Sequence, residues 1–208
     1  MSKTKQAPNS EIAWYNEIYT RKPNKWASEA RNELCRRTVQ AALKHDPASV
    51  LDIGCGIGHT ISYLRAWWPE TAFTGMDMSD VAIDTCKARM PWAEFVCGEL
   101  GIVPLGKHQC VISLGVFEHI EDTAQALADT KKCLTAKGVV YVEIPNCIAY
   151  PEEDHAEGFR RINVGNHQIE WHRFRPTWEA LFTAAGFTFE AFTGPTIQTE
   201  FVWILRKA

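Results

Sequence analysis

The sequence predicts an α/β domain built on a doubly wound, mostly parallel seven-stranded sheet that closes with a C-terminal antiparallel hairpin, and three observations predict it. Five short apolar runs, at 48–53, 72–76, 93–97, 110–114 and 139–144, have the composition of strands buried on both faces. Helix-length stretches separate them, around 27–44, 59–67, 80–90 and 122–134, which is the rhythm of a parallel sheet with helices on both sides. After Pro176 a short helix in "TWEALFTAAGF" closes at Gly186, and "TFEAFTG" and "EFVWILRK" follow as two strands separated by "PTIQT".

Local signals mark several boundaries. Ser79 before "DVAIDTCKARM" and Asp122 before "TAQALADTKKCL" suit helix N-caps, whose side-chain oxygens satisfy the first free N–H groups. Lys131 and Lys132, with Lys137 and Gly138 beyond them, suit a helix C-terminus and the turn after it. Residues 1–45 read as an N-terminal helical cap on a single domain spanning 1–208. The stretch 146–175 has little periodicity, and a connection that long inside one domain reads as an acceptor-side loop or lid. Trp67, Trp68, Trp92 and Trp178 read as packing residues.

Composition narrows the function classes. At 208 residues, 46% hydrophobic, 23% charged and a formal net charge of −3, the chain is long enough for one real core and has no general attraction to nucleic acid or anionic lipid. No stretch approaches the roughly 18 apolar residues needed to span a bilayer, and "MSKTKQAPNSE" carries no apolar leader core, so a cytoplasmic protein is expected. The seven cysteines form no C-x-x-C pair and predict neither a disulfide framework nor a zinc knuckle; most read as small buried hydrophobes.

The most informative stretch is "VLDIGCGIGHT", where an apolar strand runs into Asp52 and then Gly54, Gly56 and Gly58. A glycine-rich first turn at the carboxyl end of a parallel strand lets the backbone approach a ligand closely. A nicotinamide or flavin fingerprint would be G-x-G-x-x-G, whereas this loop is G-x-G-x-G. Asp52 also places an acid where a dinucleotide's pyrophosphate would lie, so a positively charged ligand without phosphate fits better. Asp77 ends the second strand about 20 residues beyond Gly56, where an acid can accept the hydroxyls of an adenosine ribose. "VCGEL" after the third strand brings Glu99 and Leu100, and "SLGVFEHIED" follows the fourth.

These four stretches, in this order and spacing, resemble the class I S-adenosylmethionine-dependent methyltransferases of small-molecule type, strongly over about residues 48–146 and loosely elsewhere. The resemblance implies a Rossmann-like sheet, S-adenosylmethionine as cofactor and a small-molecule methyl acceptor. It places Asp52, Gly54, Cys55 and Gly56 at the amino-acid end of the cofactor, with Cys55 contributing backbone rather than thiol. Asp77 and Met78 fall at the ribose, and Glu99 and Leu100 at the adenine. Leu114 and Gly115, leading into Val116, Phe117, Glu118 and His119, pass beneath the sulfonium. "GEL" stands where the family more often shows Gly-Asp, so only the reach of the acid differs. "WYNEIYTRKPNKW" resembles the aromatic leading segment of several members, which implies that Tyr19 and Trp26 touch the ligand; anchoring of the first helix is the alternative role.

Methyl transfer is an in-line displacement in which alignment does most of the work, while an oxygen or nitrogen acceptor must also lose a proton. His119 near the cofactor, and His167 and His172 on the acceptor side, are the candidate bases. His155, His167 and His172 show no metal-ligand spacing, so no metal is expected. Arg160, Arg161, Arg173 and Arg175 suit either an arginine fork for an acceptor anion or a solvated loop surface. Three rival readings remain: a cofactor-binding but non-catalytic partner protein, a nicotinamide-dependent oxidoreductase, and a nucleic-acid methyltransferase. The misplaced third glycine counts against the second. The absence of an N/D-P-P-Y/F/W motif after the fourth strand, with the acidic net charge, argues against nucleic acid. The atom methylated, the acceptor's identity and the oligomeric state have no sequence signal.

Overall fold

Strand β1 (Ser49–Ile53) lies inside the sheet, flanked on both sides by parallel partners, and this position explains its run of buried residues. The computed structural model describes residues 9–145, 159–164, 168–192 and 200–208 of the chain. In order along the chain follow α1 (Asn9–Arg21), α2 (Glu29–Leu43), β1, α3 (His59–Trp67), β2 (Ala72–Asp77), α4 (Asp80–Arg89), β3 (Glu94–Cys97) and β4 (His108–Leu114). A single 3₁₀ turn (Phe117–His119) then leads to α5 (Thr123–Lys132), β5 (Leu134–Pro145), a hairpin of β6 (Phe159–Val164) and β7 (Gln168–Arg173), α6 (Arg175–Ala184), β8 (Phe187–Phe192) and β9 (Glu200–Lys207).

The seven-stranded sheet has the order β3-β2-β1-β4-β5-β9-β8, with β6 and β7 forming a separate two-stranded sheet. Pairings among β1 to β5 are parallel, and β9 pairs antiparallel with both β5 and β8, as the final hairpin requires. The strand order reverses between β1 and β4, so their carboxyl ends open a crevice.

Alternation along the strands sorts the core into two layers. Val50, Cys110, Ile112, Val139 and Tyr141 pack with Cys35 and Val39 of α2, Ile61 and Leu64 of α3, and Ile83 and Cys86 of α4. Leu51, Ile53, Val111, Val140 and Val142 pack on the opposite face with Leu127 of α5 and Trp178 and Phe182 of α6. The sheet is therefore doubly wound. Each fully buried large side chain, such as Trp178, Phe182 or Trp203, contributes on the order of 2–3 kcal/mol by leaving water.

The expected caps form: Ser79 Oγ accepts the N–H of Ala82, and Asp122 caps α5 by accepting the N–H of Gln125. The expected turn at Lys137 and Gly138 does not. Both lie inside β5, which begins at Leu134 opposite His108 and shifts register before Val139 pairs with Cys110. Gly138 makes this irregularity possible, because a Cβ there would stand 2.8 Å from the Gln109 carbonyl. The aperiodic stretch after β5 contains the β6–β7 hairpin, whose strands carry too few alternating apolar residues to stand out.

Two tryptophans depart from their expected packing role. Trp68 and Trp178 are buried, but Trp67 is 51% and Trp92 42% exposed. Their ring faces are covered by Arg36 (4.2 Å) and Arg65 (5.1 Å) instead. Arg173, expected on a solvated loop or in a fork for an anion, is buried over Trp178 at 4.8 Å. Five of the six described cysteines are buried and Cys97 is exposed; Cys147 lies outside the described residues. No described helix is long and apolar enough to cross a membrane.

Candidate functional site

The loop from β1 to α3 turns on three glycines in the left-handed region, Gly54, Gly56 and Gly58 (φ +69°, +52° and +78°). Space as well as φ favours glycine at all three: a Cβ on Gly54 would lie 2.5 Å from Val116 Cγ2, one on Gly56 2.8 Å from Tyr19 Oη, and one on Gly58 2.3 Å from Met90 Cε. The loop is tied to the next strand, since Cys55 N–H donates to the Met76 carbonyl and Gly56 N–H to Asp77 Oδ2, both at 2.9 Å. Asp77 Oδ1 accepts the N–H of Ser79 at 2.9 Å. The acid that ends β2 thus holds the glycine loop and the start of α4 together.

A cavity of about 600 Å³ opens where β1, β2 and β4 end. Its wall brings together every residue that the sequence assigns to the cofactor: Tyr19 and Trp26 from the N-terminal cap, Asp52, Gly54, Cys55 and Gly56 from the first loop, Asp77 and Met78 after β2, Glu99 and Leu100 after β3, and Leu114 and Gly115 after β4. His119 lies on the same wall. His155 and His167 lie outside the described residues. For His172 the structure describes the backbone, which pairs with Arg160 across the hairpin. Among the described residues no group of three or more His, Cys, Asp or Glu side chains could hold a metal ion.

Several lining residues carried no motif. Arg31 and Asn32 reach the cavity from α2, while His59 and Thr60 reach it from the start of α3. Arg31 Nε pairs with the buried carboxylate of Glu143 on β5, and Thr60 Oγ1 donates to Asn32 Oδ1 at 3.0 Å. In a helix such residues differ from their surface neighbours only in which way they face.

Electrostatics give the acids of this wall an unusual character. Burial, with Asp77 close by and Arg31 opposing, pushes Asp52 up to about 8. Burial also raises Asp77, although backbone N–H groups of Ser79, Gly56 and Met78 pull the other way. Asp52 is therefore largely a neutral acid at pH 7 until a cation arrives beside it. Tyr19 is held well above the ordinary tyrosine range by burial and then by Asp77, so its hydroxyl stays protonated.

A methyltransferase domain family model matches residues 26–191, and the chain belongs to that family. Trans-aconitate 2-methyltransferase of Methylobacterium radiotolerans is 25% identical over 139 residues, which are 66% of this chain and 52% of that protein. The chain spans about half the length of the curated relatives it matches. Among solved structures, the Burkholderia thailandensis 1,6-didemethyltoxoflavin-N1-methyltransferase, holding 1,6-didemethyltoxoflavin and S-adenosylhomocysteine, superposes with a TM-score of 0.75 at 17% identity, covering 100% of this chain and 93% of that one. DesVI of Streptomyces venezuelae gives 0.69 at 20% identity, with 93% and 97% covered. The fold is the Rossmann-like methyltransferase fold, and nothing in these matches favours a nicotinamide-dependent oxidoreductase.

Proposed function

We propose that this chain binds S-adenosylmethionine and transfers its methyl group to a small-molecule acceptor by in-line displacement. The observation that carries the reading is a cavity at the reversal of strand order, in which the glycine loop, Asp52, Asp77, Leu114, Gly115 and His119 share one wall. The lining fits that cofactor. Gly56 leaves bare backbone where a side chain would fill the space before Tyr19, so a ligand can lie against the loop. Asp77 accepts the Gly56 N–H on Oδ2 and the Ser79 N–H on Oδ1, and a carboxylate has lone pairs beyond these that can accept ribose hydroxyls. Asp52, close beneath the loop, suits the ammonium group, and Arg31 with the start of α3 suits the carboxylate.

The cofactor supplies an electrophilic methyl group on a cationic sulfur. The chain's own residues bind and orient it, and cover it with Tyr15, Tyr19 and Trp26 from the N-terminal cap. His119 takes the proton from an acceptor that carries one. The hairpin of β6 and β7 forms the acceptor side; β7 packs against the turn that carries His119. The described thiols, none of them in a disulfide, accord with a cytoplasmic setting.

The test incubates the protein with methyl-labelled S-adenosylmethionine and a metabolite extract and identifies the labelled product by mass spectrometry. A labelled small molecule is expected. Calorimetric binding of S-adenosylhomocysteine without any labelled product would mark the chain as a cofactor-binding partner protein, and absence of both would overturn the reading.

A further inference from the structure

Two cysteines distant in sequence meet behind the glycine loop. Cys86 Sγ on α4 donates to the Gly56 carbonyl at 3.3 Å, and Cys55 Sγ donates to the same carbonyl at 3.5 Å. The two thiols also hydrogen-bond to each other. A Cβ on Gly75 would lie 2.8 Å from Cys55 Sγ, and one on Gly58 3.1 Å from Cys86 Sγ, so a glycine in β2 and one before α3 leave the room that the sulfurs fill. Cys55 stands on the cavity wall, while Cys86 is fully buried behind it. Cys35 and Cys110 are buried too, but neither is on that wall.

We propose that Cys55 and Cys86 are a modification site: a two-electron oxidant of the peroxide class joins them in a reversible disulfide, and this bond and the cofactor oppose each other. The second half rests on the reading that the cavity holds S-adenosylmethionine. Cys55 reacts first, because it is the member of the pair that an agent in the cavity meets. Its sulfur attacks one peroxide oxygen, the O–O bond breaks, and the departing hydroxide leaves as water with the Cys55 proton. Cys86 sulfur then attacks the resulting sulfenic acid at sulfur, the S–O bond breaks, and that hydroxide leaves as water with the Cys86 proton. The two sulfurs together lose two electrons, and the peroxide is reduced to two waters. Thiol exchange with a reductant reverses the bond.

A disulfide draws its sulfurs to about 2 Å and removes both S–H donors from the Gly56 carbonyl. Cys55 and Gly56 are held from the other side, since their N–H groups donate to Met76 and Asp77. The pull toward α4 therefore falls on the bare backbone against which the cofactor would lie. Opposition is mutual by linkage, so a bound cofactor must disfavour the disulfide by the factor that the disulfide costs the cofactor. The reaction is slow: the Cys86 thiol, burial, and then Asp52 and Asp77 hold the Cys55 thiol well above its ordinary range, and thiolate is scarce at neutral pH. Such a site answers sustained oxidation rather than a brief pulse.

The test exposes the full chain to hydrogen peroxide over time, alkylates the remaining thiols and maps the digest by mass spectrometry. The exposed Cys97 reports that the oxidant has acted. In the ligand-free protein a Cys55–Cys86 linked peptide pair should accumulate, disappear on reduction, and form more slowly when S-adenosylhomocysteine is saturating. By calorimetry the linked protein should bind S-adenosylhomocysteine about 10-fold or more weakly and recover on reduction. Cys86→Ala should give no link and keep its affinity through the same treatment. Unlinked Cys55 and Cys86 after Cys97 is consumed, unchanged affinity in the linked protein, or an equal loss in Cys86→Ala overturns the proposal. Failure of S-adenosylhomocysteine to bind the reduced wild type would instead strike the cofactor reading, and the peptide map would still decide whether the disulfide forms.

Discussion

Asp77 Oδ2 accepts the backbone N–H of Gly56 at 2.9 Å, so the acid at the end of β2 and the middle glycine of the first loop form one unit. Ribose recognition and loop shape then share a single carboxylate. Asp77→Ala should weaken S-adenosylhomocysteine binding by about 1–3 kcal/mol, through lost charge-assisted hydrogen bonds. It should also lower the melting temperature of the ligand-free protein, because the Gly56 and Ser79 N–H groups lose their acceptor. Calorimetry and a thermal melt check both, and unchanged affinity would contradict the ribose assignment.

Asp52 predicts a proton linkage with a definite sign. Its folded-state value of about 8 lies above the ordinary carboxylate range because the site is buried and close to Asp77. A ligand ammonium beside it favours the carboxylate, so binding below pH 8 must release a proton. S-adenosylhomocysteine should therefore bind more tightly as pH rises from 6 to about 8 and level off above that. Calorimetry in two buffers of different ionisation enthalpy should show proton release at pH 7, and Asp52→Asn should abolish it. The same shift acts on stability. The native state holds this proton and the unfolded chain does not between pH 4 and about 8, so the contribution is full below the unfolded value and disappears as pH rises through the folded one. The ligand-free wild type should thus lose more stability than Asp52→Asn over that window, measured by urea unfolding.

How far the sequence carried these readings depends on residue type. The strands β1, β2 and β4 were legible because burial on both faces demands apolar runs, and the glycine loop because positive φ leaves few other choices. Asp77 was legible from its place at the end of such a run. Arg31 and Asn32 were not, because a helix residue that faces a cavity looks like any polar residue on a helix. The early start of β5 was hidden because Lys137 and Gly138 are turn residues by composition, and only the register shift against β4 admits them to a strand. Trp67 and Trp92 were misjudged for the opposite reason: an indole face can be covered by an arginine as well as by a core.

Asn16 clasps α1 to the start of α4. Asn16 Nδ2 donates to Asp80 Oδ1 at 2.7 Å, and Ser79 Oγ donates to Asn16 Oδ1 at 2.5 Å. Ser79 and Asp80 begin α4 directly after the ribose acid, so α1 is fastened where the cofactor is bound. Asn16→Ala should speed release of S-adenosylhomocysteine by roughly 3- to 10-fold, the effect of losing about 1 kcal/mol of lid closure. Stopped-flow displacement measures this directly. An unaltered dissociation rate would show that α1 does not gate the cavity.

Tyr19 closes over Gly56, and the glycine there is required by both backbone and space. An alanine would have to adopt φ +52°, which costs about 1–2 kcal/mol for a residue with a Cβ, and that Cβ would lie 2.8 Å from Tyr19 Oη. Tyr19 can swing away, since it is a side chain on the cap, but doing so opens the cavity. Gly56→Ala should therefore weaken S-adenosylhomocysteine binding by more than its local strain predicts. Combining it with Tyr19→Ala separates the two causes. If the collision matters, the double variant should bind about as well as Tyr19→Ala alone, apart from the backbone cost, and the pair should be clearly non-additive by calorimetry. Strict additivity would mean that Tyr19 and Gly56 act on the ligand independently and that the ring is not a cover for the loop.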